Sequence, residues 1–230
     1  MARNIPAAVT SMQSQKWEKK KFMGNEIFGK PLGLIGLGRT GNEVAKRLLS
    51  FGMKVVAYDP FANAEVAKNN GIELTTLDEV FKQADYLSIH SPLTDDTRGM
   101  INKANIAKMK DGVRIINCAR GAIINDADLI EAVKSGKVAN AALDVFVKEP
   151  PVDWSIQTTP NIITTPHLAA STEEAQVKIA IEMASVVIDF FTKGLIRNAV
   201  NVATVDWDTQ KQMMPYIELA DKMVIYHCHN

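Results

Sequence analysis

Cysteine is scarce in this 230-residue chain: Cys118 and Cys228 are the only two. So few exclude a disulfide framework and point to a reducing, cytoplasmic compartment. Neither sign of charge prevails, with 26 Lys and Arg against 26 Asp and Glu, so there is no electrostatic footprint for nucleic acid. The Lys19-Lys20-Lys21 run is too short to supply one and reads as a solvated face. No apolar run reaches the length of a membrane span. No acid precedes Glu18, which together with Arg3 gives a faint look of a mitochondrial leader, but Pro6 and a sparse apolar face argue against that. His227-Cys228-His229 lacks ordinary ligand spacing, so no metal is expected. The length suits one α/β domain, alone or with appendages, and allows a substantial core.

The chain is organised around Leu32-Gly33-Leu34-Ile35-Gly36-Leu37-Gly38-Arg39-Thr40-Gly41. Leu32 to Ile35 form an uncharged apolar run, suited to a strand buried on both faces of a parallel sheet. Gly36, Gly38 and Gly41 then follow at G-x-G-x-x-G spacing. The first glycine permits a tight turn, the second lets backbone N–H groups approach a pyrophosphate, and the third lets the next helix pack closely on the strand. That motif alone could be a glycine-rich turn. Its context favours a dinucleotide site: a helical pattern over Glu43 to Phe51 stops at Gly52, and a second apolar run, Val55 to Tyr58, ends in Asp59. Asp59 lies eighteen positions past Gly41, where a carboxylate takes a ribose 2′-hydroxyl. Pro60 and Phe61 follow it, with no adjacent arginine for a 2′-phosphate, so NAD is favoured over NADP.

Further strands are expected at Ile72 to Leu74, Tyr86 to His90, Val113 to Cys118, Val138 to Val145 and Ile162 to Thr165. Helices are expected after the capping box Thr76-Leu77-Asp78-Glu79, after Asn102, after Asn125, and after a second box, Ser171-Thr172-Glu173-Glu174, which opens a long helix to about Lys193-Gly194. Strands alternating with helices imply an α/β fold with a doubly wound parallel sheet of the Rossmann type. Residues 1–21 read as an arm too short to bury Ala8, Val9, Met12 and Trp17 by itself, which should dock on this domain or on a partner. Residues 22–194 read as the cofactor domain and 195–230 as a return segment with a divergent tail.

Ligands of open α/β sheets bind beyond the carboxyl ends of the strands. Arg120, Glu149 and His167 each fall just after an expected strand. Arg120 could grip a substrate carboxylate, His167 could exchange a proton near neutral pH, and Glu149 could orient its ring. Arg120 could equally tether a loop, Glu149 could be an exposed acid before two prolines, and His167 a satisfied core histidine. Asp144 reads either as a polar residue near a nicotinamide amide or as a turn-forming acid, and Cys118 as a small buried residue rather than a nucleophile.

Six segments carry a resemblance: Ala2-Arg3-Asn4-Ile5-Pro6, Trp17 to Phe22, Gly36 to Gly41, Asn117-Cys118-Ala119-Arg120-Gly121, Ala142 to Phe146, and Pro166-His167-Leu168-Ala169-Ala170-Ser171-Thr172. Over residues 1 to about 220 the chain is similar to the phosphoglycerate dehydrogenases, a branch of the D-isomer-specific 2-hydroxyacid dehydrogenase family. The resemblance implies NAD-dependent oxidation of 3-phospho-D-glycerate to 3-phosphohydroxypyruvate, in serine biosynthesis, with Arg120, Glu149 and His167 as the catalytic trio. It also implies NAD contacts from Gly36, Gly38, Arg39, Thr40, Gly41, Asp59, Ser91, Cys118, Ala119, Arg120, Asp144, His167, Ala169 and Ala170. The implied partners are a small 2-hydroxy or 2-keto acid and further copies of the chain, as a homodimer or homotetramer paired through the cofactor domain; no nucleic acid and no membrane are implied. Thr40 stands where the family usually has an apolar residue and Ala169 where it usually has glycine. About a hundred residues that form most of the family's substrate lobe have no counterpart here, so a truncated chain with little turnover of its own is expected. Glyoxylate or hydroxypyruvate reductases are the nearest alternative, and an NAD-binding dimerisation module of the corepressor type is another.

Overall fold

A computed structural model describes residues 1–197 together with 199, 209, 212, 213, 215, 216 and 219. The tail bearing His227, Cys228 and His229 lies outside the described residues. The described chain forms two compact units, residues 1–169 and 170–230.

The first unit is built on seven strands: β1 (Pro31–Ile35), β2 (Lys54–Tyr58), β3 (Ile72–Leu74), β4 (Tyr86–Ile89), β5 (Val113–Asn117), β6 (Val138–Leu143) and β7 (Ile162–Thr164). They pair in the order β3-β2-β1-β4-β5-β6-β7, every pair parallel. Helices α2 (Arg39–Ser50), α3 (Ala64–Asn69), α4 (Leu77–Gln83), α5 (Lys103–Lys108), α6 (Asp126–Ser135) and α7 (Ser155–Thr158) fall between strands, and α1 (Ile5–Gln13) precedes them. The second unit opens with α8 (Glu173–Lys193). Among the described residues no helix is long and apolar enough to cross a membrane.

Alternation along β1 shows why its apolar run is unbroken. Leu32 and Leu34 join one core with Ala45 of α2, Val55, Ala57, Ala67 and Ile72. Ile35 joins the other with Val80, Phe81, Leu87, Ile89, Ile115 and Leu129. Both faces of the sheet are covered at β1, which accounts for its uninterrupted apolar run. Gly33 lies on the second face, where a Cβ would come within 2.8 Å of the Ala84 methyl and 2.9 Å of Val80. Its lack of a side chain lets α4 lie close against β1.

The strand registers align the final residues Tyr58, Ile35, Ile89, Asn117, Leu143 and Thr164 in one row across the sheet. Asp59, His90, Cys118, Asp144 and Thr165, read from sequence as strand residues, therefore lie just beyond the ladder. Hydrophobicity persists there while the chain already turns, and periodicity alone cannot mark where pairing stops. Helix α2 begins at Arg39 rather than Glu43, so the glycine loop is continuous with its first turn. The short helices α3 and α7 were not anticipated; six and four residues carry too little periodicity to register. The long helix α8 is capped by Thr172, whose hydroxyl accepts from Ala175 N, one residue later than the Ser171 box implied.

The arm belongs to the first unit: Asn25 N donates to Ala2 O at 2.8 Å, and Ala2 packs against the core of β1 and β2. The two compact units meet in the chain between Ala169 and Ala170. In α1 the buried residue is Ser11, bonded to Lys16 O and Glu18, while Ile5, Val9 and Met12 are exposed.

Overpacking at Gly33 gives a direct check. Gly33→Ala is expected to lower unfolding free energy by roughly 1–3 kcal/mol in a denaturant titration, leaving the secondary-structure spectrum of the folded state unchanged.

Candidate active site

Reversal of strand order between β1 and β4 opens a crevice at their carboxyl ends. Gly36 sits there with φ +97°, and a Cβ on it would meet the His90 carbonyl carbon and oxygen at 2.8 Å. A Cβ on Gly41 would stand 2.1 Å from Gly36 O. Only glycine fits either place. Gly38, by contrast, faces open space within 4 Å. Asn63, Thr76, Asn102, Asn125 and Thr172 cap their helices with side-chain oxygens, but the N-terminus of α2 at Gly38 has no such cap. Its first-turn N–H groups, beside exposed Arg39 and Thr40, are free to meet an anion favoured by the helix dipole. The loop therefore fits a dinucleotide pyrophosphate.

Asp59 accepts from Leu37 N at 2.7 Å through one carboxylate oxygen and from Phe61 N at 2.8 Å through the other. It thereby ties the glycine loop to the end of β2, a structural task its spacing did not reveal. Each oxygen keeps a further lone pair, so the carboxylate can still accept from a ribose hydroxyl. On the other side of the crevice the Ser91 hydroxyl is buried without a partner. His90 lies below the loop, its Nε2 2.9 Å from Ser88 Oγ, and burial holds its pKa below the usual histidine value. The sequence marked His90 only as the end of a strand; its contact with Gly36 depends on β1 and β4 being neighbours.

After β5, Asn117 shapes the Cys118-Ala119-Arg120 turn. Its amide donates to Arg120 O at 2.9 Å and its oxygen accepts from Ala119 N at 2.9 Å. Cys118 is exposed, not buried as expected, because it is the first residue past the ladder. Desolvation in the turn, and then the Asp144 carboxylate, raise its thiol pKa, which disfavours a nucleophilic thiolate. Arg120 is exposed, with one guanidinium nitrogen on Ala119 O at 2.6 Å.

Asp144 is 3% exposed. It accepts from Thr165 Oγ1 (2.5 Å), Leu168 N (2.9 Å) and Ala169 N (2.8 Å). Those bonds, with the Thr165 hydroxyl first, hold its carboxyl below the usual range against the opposing effect of burial. Ala169 N donates to Asp144, and Ala170 is the first residue of the second unit.

This anchored loop carries His167, at φ +52°. Its Nδ1 is 2.7 Å from Glu149 Oε2, while Glu149 Oε1 accepts from Phe146 N at 2.9 Å. His167 is half exposed, so the core-histidine alternative fails. The pair and Arg120 line one cavity of about 290 Å³ with Leu93 and Phe146. A guanidinium and a carboxylate-paired imidazole thus share one cleft. Among the described residues no cluster of three or more His, Cys, Asp or Glu could hold a metal ion.

Residues 1–169 match the family described as D-isomer specific 2-hydroxyacid dehydrogenase, NAD binding domain. The D-3-phosphoglycerate dehydrogenase of Bacillus subtilis is 46% identical over 224 residues, covering 97% of this chain and 42% of that protein. The one from Archaeoglobus fulgidus is 48% identical over 224 residues, covering 96% and 42%. The chain thus spans well under half the length of these curated relatives. Among solved structures, a glyoxylate reductase from Paecilomyes thermophila is 33% identical with a TM-score of 0.81, covering 87% of this chain and 61% of that one. The NAD-dependent formate dehydrogenase from Staphylococcus aureus in complex with NAD is 28% identical with a TM-score of 0.80, covering 89% and 62%.

The hydrogen bond from His167, and then that from Phe146 N, hold the Glu149 carboxyl below the usual carboxylate range. A depressed folded-state pKa contributes stability above the unfolded value, about 4.3, and loses it as pH falls through the folded value. The stability difference between the natural chain and Glu149→Gln is therefore expected to shrink as pH is lowered from about 5 to about 2, read by thermal melts in matched buffers.

Proposed function

Because the chain belongs to the D-isomer-specific 2-hydroxyacid dehydrogenase family, we propose that it carries the NAD site and the catalytic trio for oxidising 3-phospho-D-glycerate to 3-phosphohydroxypyruvate. The observation that carries this reading is the 2.7 Å His167–Glu149 pair in one cavity with Arg120, in a chain 46% identical to a D-3-phosphoglycerate dehydrogenase.

Arg120 binds the substrate carboxylate with the N–H groups not used on Ala119 O. Glu149 holds the His167 Nδ1–H, which leaves Nε2 with the lone pair that takes the proton of the 2-hydroxyl. NAD, when bound, accepts the hydride from the carbinol carbon. In the reverse direction His167 Nε2 returns the proton to the keto oxygen, and Glu149 stabilises the imidazolium meanwhile. Gly36, Gly38 and Gly41 with the amides of Arg39 and Thr40 hold the pyrophosphate, Asp59 the adenosine ribose, and Ser91 and the Cys118–Arg120 turn flank the remainder. The scarcity of cysteine supports a reducing, cytoplasmic compartment. The Paecilomyes glyoxylate reductase, at a TM-score of 0.81, favours reduction of a small 2-keto acid as the second reading.

NAD should bind at least about tenfold more tightly than NADP, because Asp59 would face a 2′-phosphate across like charges. Calorimetry with both cofactors checks this. Asp59→Ala should narrow the ratio, and equal affinities in the natural chain would refute the assignment.

In steady-state assays the 230-residue chain should oxidise 3-phosphoglycerate slowly, since a half-exposed pair is screened by water. His167→Ala should reduce that turnover by about a hundredfold or more. Turnover confined to glyoxylate or hydroxypyruvate would establish the second reading, and turnover indifferent to His167 would sink both.

The arm supports a homodimer. Ile5, Val9 and Met12 recur on one face of α1, each about half exposed or more, and Trp17 beyond them is 79% exposed. Sedimentation should give two copies for the full chain and one for a chain starting at Phe22. Identical sedimentation of both would remove the arm from the interface.

A further inference from the structure

The bond from Leu37 N to Asp59 fixes the peptide that enters Leu37, but not the one that leaves it. Packing does not hold that second peptide either. A Cβ at Gly38 would meet nothing within 4 Å, and glycine permits the rotations by which a Leu37–Gly38 plane turns over. The restraint comes from Asn42, the fourth residue of α2. Its side-chain amide donates to Leu37 O and, at 3.1 Å, to Gly38 O, which also accepts from the Asn42 backbone N–H at 3.0 Å. Leu37 O accepts from no other group among the described residues.

Each of these bonds sets the direction of an N–H group. In a planar trans peptide the C=O and the following N–H point opposite ways. Leu37 O, drawn toward Asn42, therefore turns Gly38 N–H away from it, and Gly38 O, drawn the same way, does this to Arg39 N–H. These amides belong to the N-terminal turn of α2, the end of the helix that an anion meets. Were the Leu37–Gly38 plane to turn over, a carbonyl oxygen would face the anion where an N–H had been, and attraction would become repulsion. Helix capping does not explain the contact, because the first turn of a helix needs acceptors and the Asn42 amide gives donors. Core packing does not explain it either, for Asn42 is exposed.

We infer that Asn42 is a positioning residue for the cofactor: its amide locks the Leu37–Gly38 and Gly38–Arg39 peptide planes with their N–H groups toward the pyrophosphate, without itself touching NAD. This rests on the glycine loop being the pyrophosphate site, and it adds a residue that acts on that site only through the backbone.

Asn42→Leu keeps the size, removes both donors and raises helix propensity, so the ligand-free variant should melt within a few degrees of the natural chain. Titrated calorimetrically with NAD, it should bind about three- to tenfold more weakly, the worth of one neutral hydrogen bond. In the ¹⁵N-labelled natural chain saturated with NAD, the Gly38 and Arg39 amide protons should move downfield as they donate to the pyrophosphate; in the saturated variant they should move less far. A general loosening of the fold would weaken binding and leave the shifts of the bound state unaltered. Equal NAD affinity of the two chains overturns the inference while leaving the cofactor site standing, and so does weaker affinity with undiminished shifts. A natural chain that binds no NAD overturns both.

Discussion

The contact on which the rest of the structure depends is the approach of Gly41 to the carbonyl oxygen of Gly36, where a Cβ would stand only 2.1 Å away. It brings the first turn of α2 against the end of β1, so that helix and sheet meet with no side chain between them. Gly36 makes the same kind of contact with His90 across the strand-order reversal. Two backbone-to-backbone contacts thus set the width of the crevice. The uncapped N-terminus of α2 points into it because the loop has no room to do otherwise, and the anion site follows from close packing before any ligand-specific residue is considered.

Polar side chains beyond the strand ends serve mainly to hold loops. Asp59 ties the glycine loop, Asn117 closes the turn before Arg120, and Asp144 fastens the segment that presents His167. Each accepts backbone N–H groups that would otherwise be unpaired where the ladder stops. The charged groups left half exposed are the ones the proposed chemistry uses: Arg120, Glu149 and His167. A catalytic constellation on loops can be accurate when a second set of buried acceptors fixes those loops. Here Asp144 and Asn117 are that set, 3% and 1% exposed.

Much of this was legible in the residues. Alternation of apolar runs with capped helices gave seven parallel strands, and the glycine spacing with Asp59 gave the crevice and the cofactor. The positions of Arg120, Glu149 and His167 after successive strands gave the cleft, since parallel strands all deliver their carboxyl ends to one edge. Asp144 was legible only as an acid near the site. The three groups it accepts from, Thr165, Leu168 and Ala169, are more than twenty residues away, and no local pattern encodes that distance. The exposure of Cys118 was misread for a related reason: an apolar run continues one residue past the last strand pair, and burial ends with the pairing.

The sequence by itself determined the class of fold, the nature of the cofactor and the three residues of the cleft, because each rests on spacing within one supersecondary unit, which chain geometry converts directly into position. Tertiary structure decided what those units do to one another. It alone set His90 beneath Gly36, fastened the loop of His167 to Asp144, and paired His167 with Glu149. The physical reason is that these outcomes depend on which strands become neighbours and which lone pairs are already occupied. Both are properties of the packed chain, settled by the competition of many groups for the same space and the same hydrogen bonds.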